Sequence, residues 1–325
     1  MRESSLLEVE NLRVEFPTPT GSVRAADGVS FRLSRGEIVG LVGESGCGKT
    51  VTTLALLRLV RPPGRIAAGR ILFKGRDLLT LPDHEMRALR GGEMAMIFQN
   101  PMTALDPVFT VGDHIAEVFR AHSNLRTADV PTAAAEVLQR VRVPNPRAQL
   151  KAYPHQFSGG MAQRLMIGMG LAGRPSLLIA DEPTTALDVS VQAQILALLR
   201  AIRTELQTAI VLITHDLAIT AQLCDRIVVM YAGQVQESSP TRDLFRAPQH
   251  PYTRGLLDSM PRLGHKRGRL EQIPGQPPDL RALPLGCRFA PRCPRAEARC
   301  HAEEPVLAPS GDGREVRCHF PLEAR

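Results

Sequence analysis

The 325-residue chain contains no Trp and only three Tyr. Single-stranded nucleic acid stacks on aromatic rings, so a net charge of +7 and a pI near 9.4 do not by themselves make this a nucleic-acid binder. The excess is also unevenly placed. Residues 241–325 hold 15 Arg and Lys against 10 Asp and Glu, interleaved with Pro and Cys and not drawn into a helical stripe, which reads as a solvated basic face. Long hydrophobic runs are missing as well: no stretch approaches about 18 uninterrupted apolar residues, so no segment spans a bilayer by itself. The N-terminal MRESSLLEVE lacks the basic-then-apolar layout of a signal peptide, and the expectation is a cytosolic or peripheral protein. Hydrophobic content of 43% is enough to build the core of one large domain or two.

What is present is organised around GESGCGKT, Gly43 to Thr50, which fits the G-x-x-x-x-G-K-[ST] phosphate loop. It follows an apolar run, Ile38 to Val42, that reads as a buried strand, and it precedes VTTLALLRLV, which has helical spacing. Gly43, Gly46 and Gly48 let backbone N–H groups turn inward on a polyphosphate, with Glu44, Ser45 and Cys47 between them, and the helix adds its positive end. Lys49 supplies a point charge for the outer phosphates and Thr50 a hydroxyl for Mg²⁺.

Around this loop, residues 6–16 alternate as an edge-type strand, VSFRLS at 29–34 does the same, and PTPTGSVRAADG between them reads as a turn. A second strand pair is expected at GRILFKGRDL, turning near Gly75. From about Leu81 to Gly170 the pattern becomes helical and Pro-punctuated, as in HIAEVFRAH and TAAAEVLQRV. LLIA at 177–180 and IVLIT at 210–214 read as buried parallel strands, joined by a crossover helix with Ile195, Leu198, Ile202 and Leu206 on one face. RIVVMYAGQVQES is a hairpin turning at Ala232-Gly233, and regular alternation ends near Thr241.

Two further stations carry chemistry. The strand LLIA ends in Asp181 and Glu182; one carboxylate suits Mg²⁺ and the other an attacking water, and we assign Asp181 to the metal and Glu182 to the water. Ser158-Gly159-Gly160 opens a Pro-free helix, MAQRLMIGMGLAG, so exposed backbone N–H groups there make a second anion site. A chain with two phosphate-binding elements and one nucleotide is explained if the second element serves a neighbouring subunit's ATP.

In this order the motifs resemble those of ATP-binding-cassette ATPases. The resemblance implies that Ser158, Gly159 and Gly160 form the signature loop, that Gln99 in MIFQNP is the glutamine that touches Mg²⁺ with Thr50 and Asp181, and that Thr185 to Asp188 form the D-loop. It also makes His215 the histidine that contacts the γ-phosphate and stacks Phe16 on adenine. Met161 stands where many members carry Gln. Among family members the chain is most similar to the D-type ATPase subunits of dipeptide and oligopeptide importers, through FSGGMAQR, LLIADEPTTALDVSVQAQIL and an extension beginning at HPYTRGLL, residues 250–257.

The implied fold is α/β: a phosphate-loop NTPase (RecA-like) parallel-sheet core with an antiparallel β subdomain, an inserted α-helical subdomain at about 100–170, and a small irregular Cys-rich C-terminal extension. Its domains are an ATP-binding domain over 1–240 and the extension over 241–325. The implied function is ATP-driven import of di- and oligopeptides, with nickel, glutathione or antimicrobial peptides as other cargoes. The implied partners are a second cassette ATPase, two membrane permeases and an extracytoplasmic solute-binding protein, without nucleic acid, and the place is the cytoplasmic face of the inner membrane. A soluble cassette ATPase acting on nucleic acid or ribosomes would usually fuse two cassettes or insert long coiled coils, and this chain does neither. A small-molecule kinase or GTPase would need neither the second anion site nor Gln99 and His215.

Six cysteines remain to be placed: Cys47 in the loop, Cys224 after a helix, and Cys287, Cys293, Cys300 and Cys318, which crowd into 32 residues. A reducing cytosol points such crowding to metal before disulfides. The spacing C-x₅-C-x₆-C-x₁₇-C lacks paired C-x₂-C knuckles, and the residues alone leave Zn²⁺ and a [4Fe–4S] cube equally open. Arg288, Arg292, Arg295 and Arg299, with Pro291, Pro294 and Pro305, suit an irregular loop around a negatively charged cluster; His301 and His319 each directly follow a Cys and read as solvated. The resemblance to the D-type subunits implies the iron–sulfur cluster, in a structural role.

Overall fold

The computed structural model describes residues 5–19, 21–260 and 272–323. They form two compact units, one of Met1–Leu33, Val39–Leu79 and Thr214–Arg325, the other of Ser34–Ile38 and Thr80–Ile213.

The first unit contains an antiparallel sheet in the order Gly21–Leu33, Leu7–Thr18, Arg65–Phe73, Arg76–Asp77. Leu7, Val9, Leu12 and Val14 are buried, and the step of three between Val9 and Leu12 is a bulge at Asn11, which takes φ 49 and returns Leu12 to the inner face. Two expectations are corrected here. The strand is not an edge, because Gly21–Leu33 pairs with one side of it and Arg65–Phe73 with the other. Most of PTPTGSVRAADG is strand rather than turn, since pairing runs out to Thr18 opposite Gly21; Thr20 lies outside the described residues. Polar residues misled the reading, because both strands extend beyond the core as a two-stranded ribbon with wet faces. The strand pair around Gly75, which has φ 79, is as expected.

The same unit sets strand Ile38–Val42 parallel to Arg226–Tyr231, which turns through Ala232 (φ 46) and Gly233 (φ 83) into Gln234–Pro240. Consecutive left-handed residues make the hairpin twist match its strands. Short strands Glu315–Val316 and Ala308–Pro309 continue the sheet outward from Gln234–Pro240.

In the second unit, parallel strands Met94–Ile97, Leu177–Asp181 and Ala209–Thr214 pair in that order. The latter two are buried throughout, as their continuous apolar runs require. Helix Val189–Leu206 returns the chain between them and buries Ile195, Leu198 and Ile202; Leu206 is half-buried. Strand Met94–Ile97 interrupts the stretch expected to be helical, because four residues are too short to show a period. Beyond it, helices Val111–His122, Val130–Arg140 and Gly159–Ala172 pack on one another. Thr110 and Asp113 cap the first reciprocally, and the fully buried Ile115, Leu138, Leu165 and Ile167 supply its core at about 1.5–3 kcal/mol each. Among the described residues, no helix is long and apolar enough to cross a membrane.

Candidate active site

In the first unit the buried strand Ile38–Val42 delivers the chain to Gly43, and helix Lys49–Leu56 leaves the loop. Gly48 has φ 100, and a Cβ there would lie 2.1 Å from the Ala25 carbonyl oxygen, so no other residue fits. Gly48 offers no side-chain cap, which leaves first-turn N–H groups available to an anion. Lys49 is 7% exposed, and its ammonium donates to the carbonyls of Gly43 (2.8 Å) and Glu44 (3.0 Å), so its charge stands against the loop backbone. Ser45, Gly46 and Thr50 are exposed. Cys47 is buried, and burial pushes its thiol up despite the charge of Lys49; it contributes backbone, with its carbonyl accepting the Gly233 N–H at 3.0 Å. Phe16 is half-buried on strand Leu7–Thr18, its ring edge so close to Gly64 that a Cβ there would come within 2.5 Å. His215 is exposed in the bend after Thr214. Asp216 fixes that bend by donating its N–H to Thr214 Oγ1 (3.0 Å) and accepting from Ala218 N–H (2.7 Å) at the start of the next helix.

In the second unit Asp181 is 5% exposed at the end of its strand, and Glu182 follows at φ 46. That left-handed step lets two adjacent carboxylates point differently. Glu182 Oε2 accepts from Gln99 Nε2 and from Thr185 Oγ1, each at 2.9 Å. Gln99, Asp181 and Glu182, far apart or merely adjacent in sequence, are thus gathered at the ends of the paired strands Met94–Ile97 and Leu177–Asp181. Thr185 was not singled out from the sequence, although it lies inside the stretch read as the D-loop.

Ser158 is the N-cap of helix Gly159–Ala172, its Oγ accepting the Met161 N–H at 3.4 Å. Gly160 is held against the helix that follows the D-loop: a Cβ would stand 2.6 Å from Val191 Cγ1. Asp188 is that helix's N-cap, taking the Val191 N–H (2.9 Å) and the Ser190 hydroxyl (2.6 Å), and these bonds hold its carboxyl below the usual range. The buried Arg164 ties the signature helix to Val141 O (2.9 Å) and Gln194 Oε1 (2.7 Å).

The tail brings Cys287, Cys293, Cys300 and Cys318 to one cavity, also lined by His250 and Arg295. Burial raises the thiols of Cys287, Cys293 and Cys318, the last to about 11. Among the described residues, however, no three His, Cys, Asp or Glu side chains stand close enough to chelate a single metal ion. The expectation of a metal or iron–sulfur cluster on the four cysteines is therefore without support in the geometry of the described residues. His250 Nδ1 accepts the Tyr252 N–H (3.0 Å), so its proton sits on Nε2, which is buried with no acceptor. Burial lowers the imidazole to about 3 and keeps it neutral.

The ABC transporter family matches residues 26–185, and the oligopeptide/dipeptide transporter C-terminal region matches residues 236–300. The chain is 47% identical over 319 residues to the dipeptide transport ATP-binding protein DppD of Escherichia coli, covering 98% of each. It is 48% identical over 319 residues to the oligopeptide transport ATP-binding protein OppD of Escherichia coli, covering 98% of this chain and 94% of that one. A dimeric, post-hydrolysis ATP-binding cassette bound to ADP and phosphate shares the fold at a TM-score of 0.65 and 24% identity, over 73% of this chain and 99% of that one. The chain belongs to the ATP-binding-cassette transporter family and is an ATPase coupled to transport. Within that family its likeness to the dipeptide and oligopeptide transport ATP-binding proteins runs over nearly the full length.

Proposed function

We propose that this chain hydrolyses ATP to energise the import of dipeptides and oligopeptides through membrane permease subunits. The observation that carries the chemistry is Glu182, a carboxylate at a strand end oriented by Gln99 and Thr185. In this reading the loop Gly43–Thr50 cradles the phosphates, Lys49 neutralises their charge, His215 contacts the γ-phosphate and Phe16 stacks on adenine. Thr50, Gln99 and Asp181 would hold Mg²⁺, which supplies charge stabilisation to the transferred phosphoryl group. Two hydrogen bonds to one oxygen orient the Glu182 carboxylate to take a proton from the attacking water. Ser158, Gly159, Gly160 and Asp188 serve the nucleotide of a partner cassette in a head-to-tail pair, which we take to be a heterodimer.

The same reading divides the chain at 240 into an ATP-binding domain, with a helical subdomain at about 100–170, and an extension over 241–325, of which 261–271 and 324–325 lie outside the described residues. It places the subunit on the cytoplasmic face of the inner membrane, with an extracytoplasmic binding protein delivering cargo. Nickel, glutathione or antimicrobial peptides are the other cargoes this architecture admits. We keep the [4Fe–4S] cube over zinc on the likeness of the tail to the dipeptide and oligopeptide transport proteins alone: the four cysteines line one cavity, but no three of them, with or without His, Asp or Glu, form a metal-holding group among the described residues. Its role there is to staple a tail with few core residues of its own.

The experiment is Glu182→Gln in the assembled transporter. ATP binding should persist while steady-state hydrolysis falls about 10²–10⁴-fold, the contribution of one general base. Near-normal turnover would refute the assignment of Glu182.

A further inference from the structure

The ATPase assignment leaves unused the tyrosine of HPYTRGLL and the arginine before Cys293. Both reach the same residue of the phosphate loop. The Arg292 guanidinium forks onto the Glu44 carboxylate, Nη1 to Oε2 at 2.7 Å and Nη2 to Oε1 at 3.0 Å, across 248 residues of sequence. The fork is itself fixed by the Tyr231 hydroxyl (3.2 Å) and by the Pro274 carbonyl, which accepts from Nε at 2.9 Å. Tyr252, fully buried, accepts the Glu44 backbone N–H on its hydroxyl oxygen at 3.1 Å. Its ring packs on Tyr231 and Phe289 at centroid distances of 4.6 and 5.3 Å, so the hydroxyl is not free to move away.

Glu44 is therefore held at both backbone and side chain by groups from the C-terminal extension. The loop it belongs to contains three glycines in eight residues, which gives it an entropic reason to wander. A second link reaches the other half of the loop. Arg288, beside Cys287, donates to the Ala232 carbonyl (2.6 Å), and the next residue, Gly233, donates its N–H to the Cys47 carbonyl (3.0 Å). A bidentate charged pair and a buried hydroxyl fix a flexible loop before its ligand arrives, and this lowers the ordering cost of binding.

We propose that Arg292 and Tyr252 are positioning residues for the phosphate loop, so that the C-terminal extension sets part of this chain's affinity for ATP. The inference rests on the reading of Gly43–Thr50 as the nucleotide loop. A merely structural role for the tail predicts a lower melting temperature with unchanged affinity in the molecules that remain folded.

The test uses the full-length chain and a fluorescent ATP analogue with Mg²⁺, together with steady-state kinetics. Arg292→Ala should raise Kd and KM about tenfold, with kcat at saturating ATP within about threefold of wild type, and Glu44→Ala should raise Kd by a similar factor. Because the two side chains act through one contact, the double variant should be no weaker than either single one within about twofold. Tyr252→Phe, which deletes only the acceptor of the Glu44 N–H, should raise Kd by a smaller factor, and Arg292→Lys should restore part of the loss. If Arg292→Ala does not fold, Glu44→Ala and Tyr252→Phe carry the test, since both leave the arginines of the tail in place. Unchanged Kd in the folded variants, additive losses in the double variant, or a fall in kcat alone would overturn the proposal while ATP binding by the wild type stands. A wild-type chain that binds no ATP would overturn the proposal and the reading of the loop together.

Discussion

Asp27→Asn removes the charge that receives Arg288. The pair is buried, the two side chains being 3% and 7% exposed, and it joins the cysteine-bearing tail to strand Gly21–Leu33. Arg13 and Arg24 also approach Asp27, at 2.8 and 3.5 Å, but they are 40% and 49% exposed and add about 0.5 kcal/mol or less each. Breaking a buried pair by deleting one partner typically costs 3–5 kcal/mol, roughly, because the remaining charge is stranded. Asn keeps one acceptor oxygen, and Arg288 retains the Ala232 carbonyl, so the low end, about 3 kcal/mol, is expected. That corresponds to a melting temperature lower by about 5–10 °C. The pH dependence is a sharper check. Burial opposes ionisation of Asp27, yet the hydrogen bond and charge of Arg288, with the charges of Arg13 and Arg24, outweigh it and hold the carboxyl below its ordinary value. A depressed carboxyl contributes stability that is complete above the unfolded pKa of about 3.9 and is lost as pH falls through the folded one. The difference between wild type and variant, followed by thermal melts, should be flat from about pH 8 to 5 and narrow only below about pH 4. A difference below about 1 kcal/mol at pH 7, or one that already shrinks between pH 7 and 5, would refute the buried pair as a staple.

Gly48→Ala should abolish binding of a fluorescent ATP analogue, because its Cβ meets the Ala25 carbonyl at 2.1 Å and its φ of 100 is costly for Ala; wild-type affinity would contradict the loop geometry. Gly160→Ala should lower the melting temperature and slow hydrolysis by forcing Val191 away at 2.6 Å, whereas an unchanged rate would mean that the signature helix and the D-loop move independently. Protein purified without oxygen should be brown, absorb broadly near 400 nm and carry about four irons per chain, and Cys300→Ser should lose them. Colourless protein with one zinc would overturn the cube while leaving the cysteines as ligands.

The local structure of the stretches proposed to bind nucleotide was legible in the sequence because each is contiguous and its spacing is its geometry. Gly43 to Thr50 is a loop between strand and helix, Asp181 and Glu182 end a strand, and Ser158 caps a helix, all as local pattern demands. Residues that act across long separations left no such trace. Arg288 and Asp27 are 261 residues apart and Arg292 and Glu44 are 248 apart, and no periodicity pairs them. The strand Leu7–Thr18 read as an edge because alternation reports one buried face and says nothing about how many neighbours bond its backbone. The strand Met94–Ile97 is defined by its parallel partner Leu177–Asp181, which lies some eighty residues downstream, and not by its own composition. His250 was visible as part of HPYTRGLL, but its buried, acceptorless Nε2–H appears only once the tail is folded.

The central claim, that ATP hydrolysis by this chain drives peptide import, is tested most directly by reconstituting it in proteoliposomes with permease subunits and the binding protein proposed to serve them, and measuring uptake of a labelled dipeptide and a labelled oligopeptide. The account predicts uptake against a gradient that requires internal MgATP and is lost with Glu182→Gln. ATP hydrolysis that is indifferent to every peptide, or peptide accumulation that persists with the Glu182→Gln variant, would contradict it.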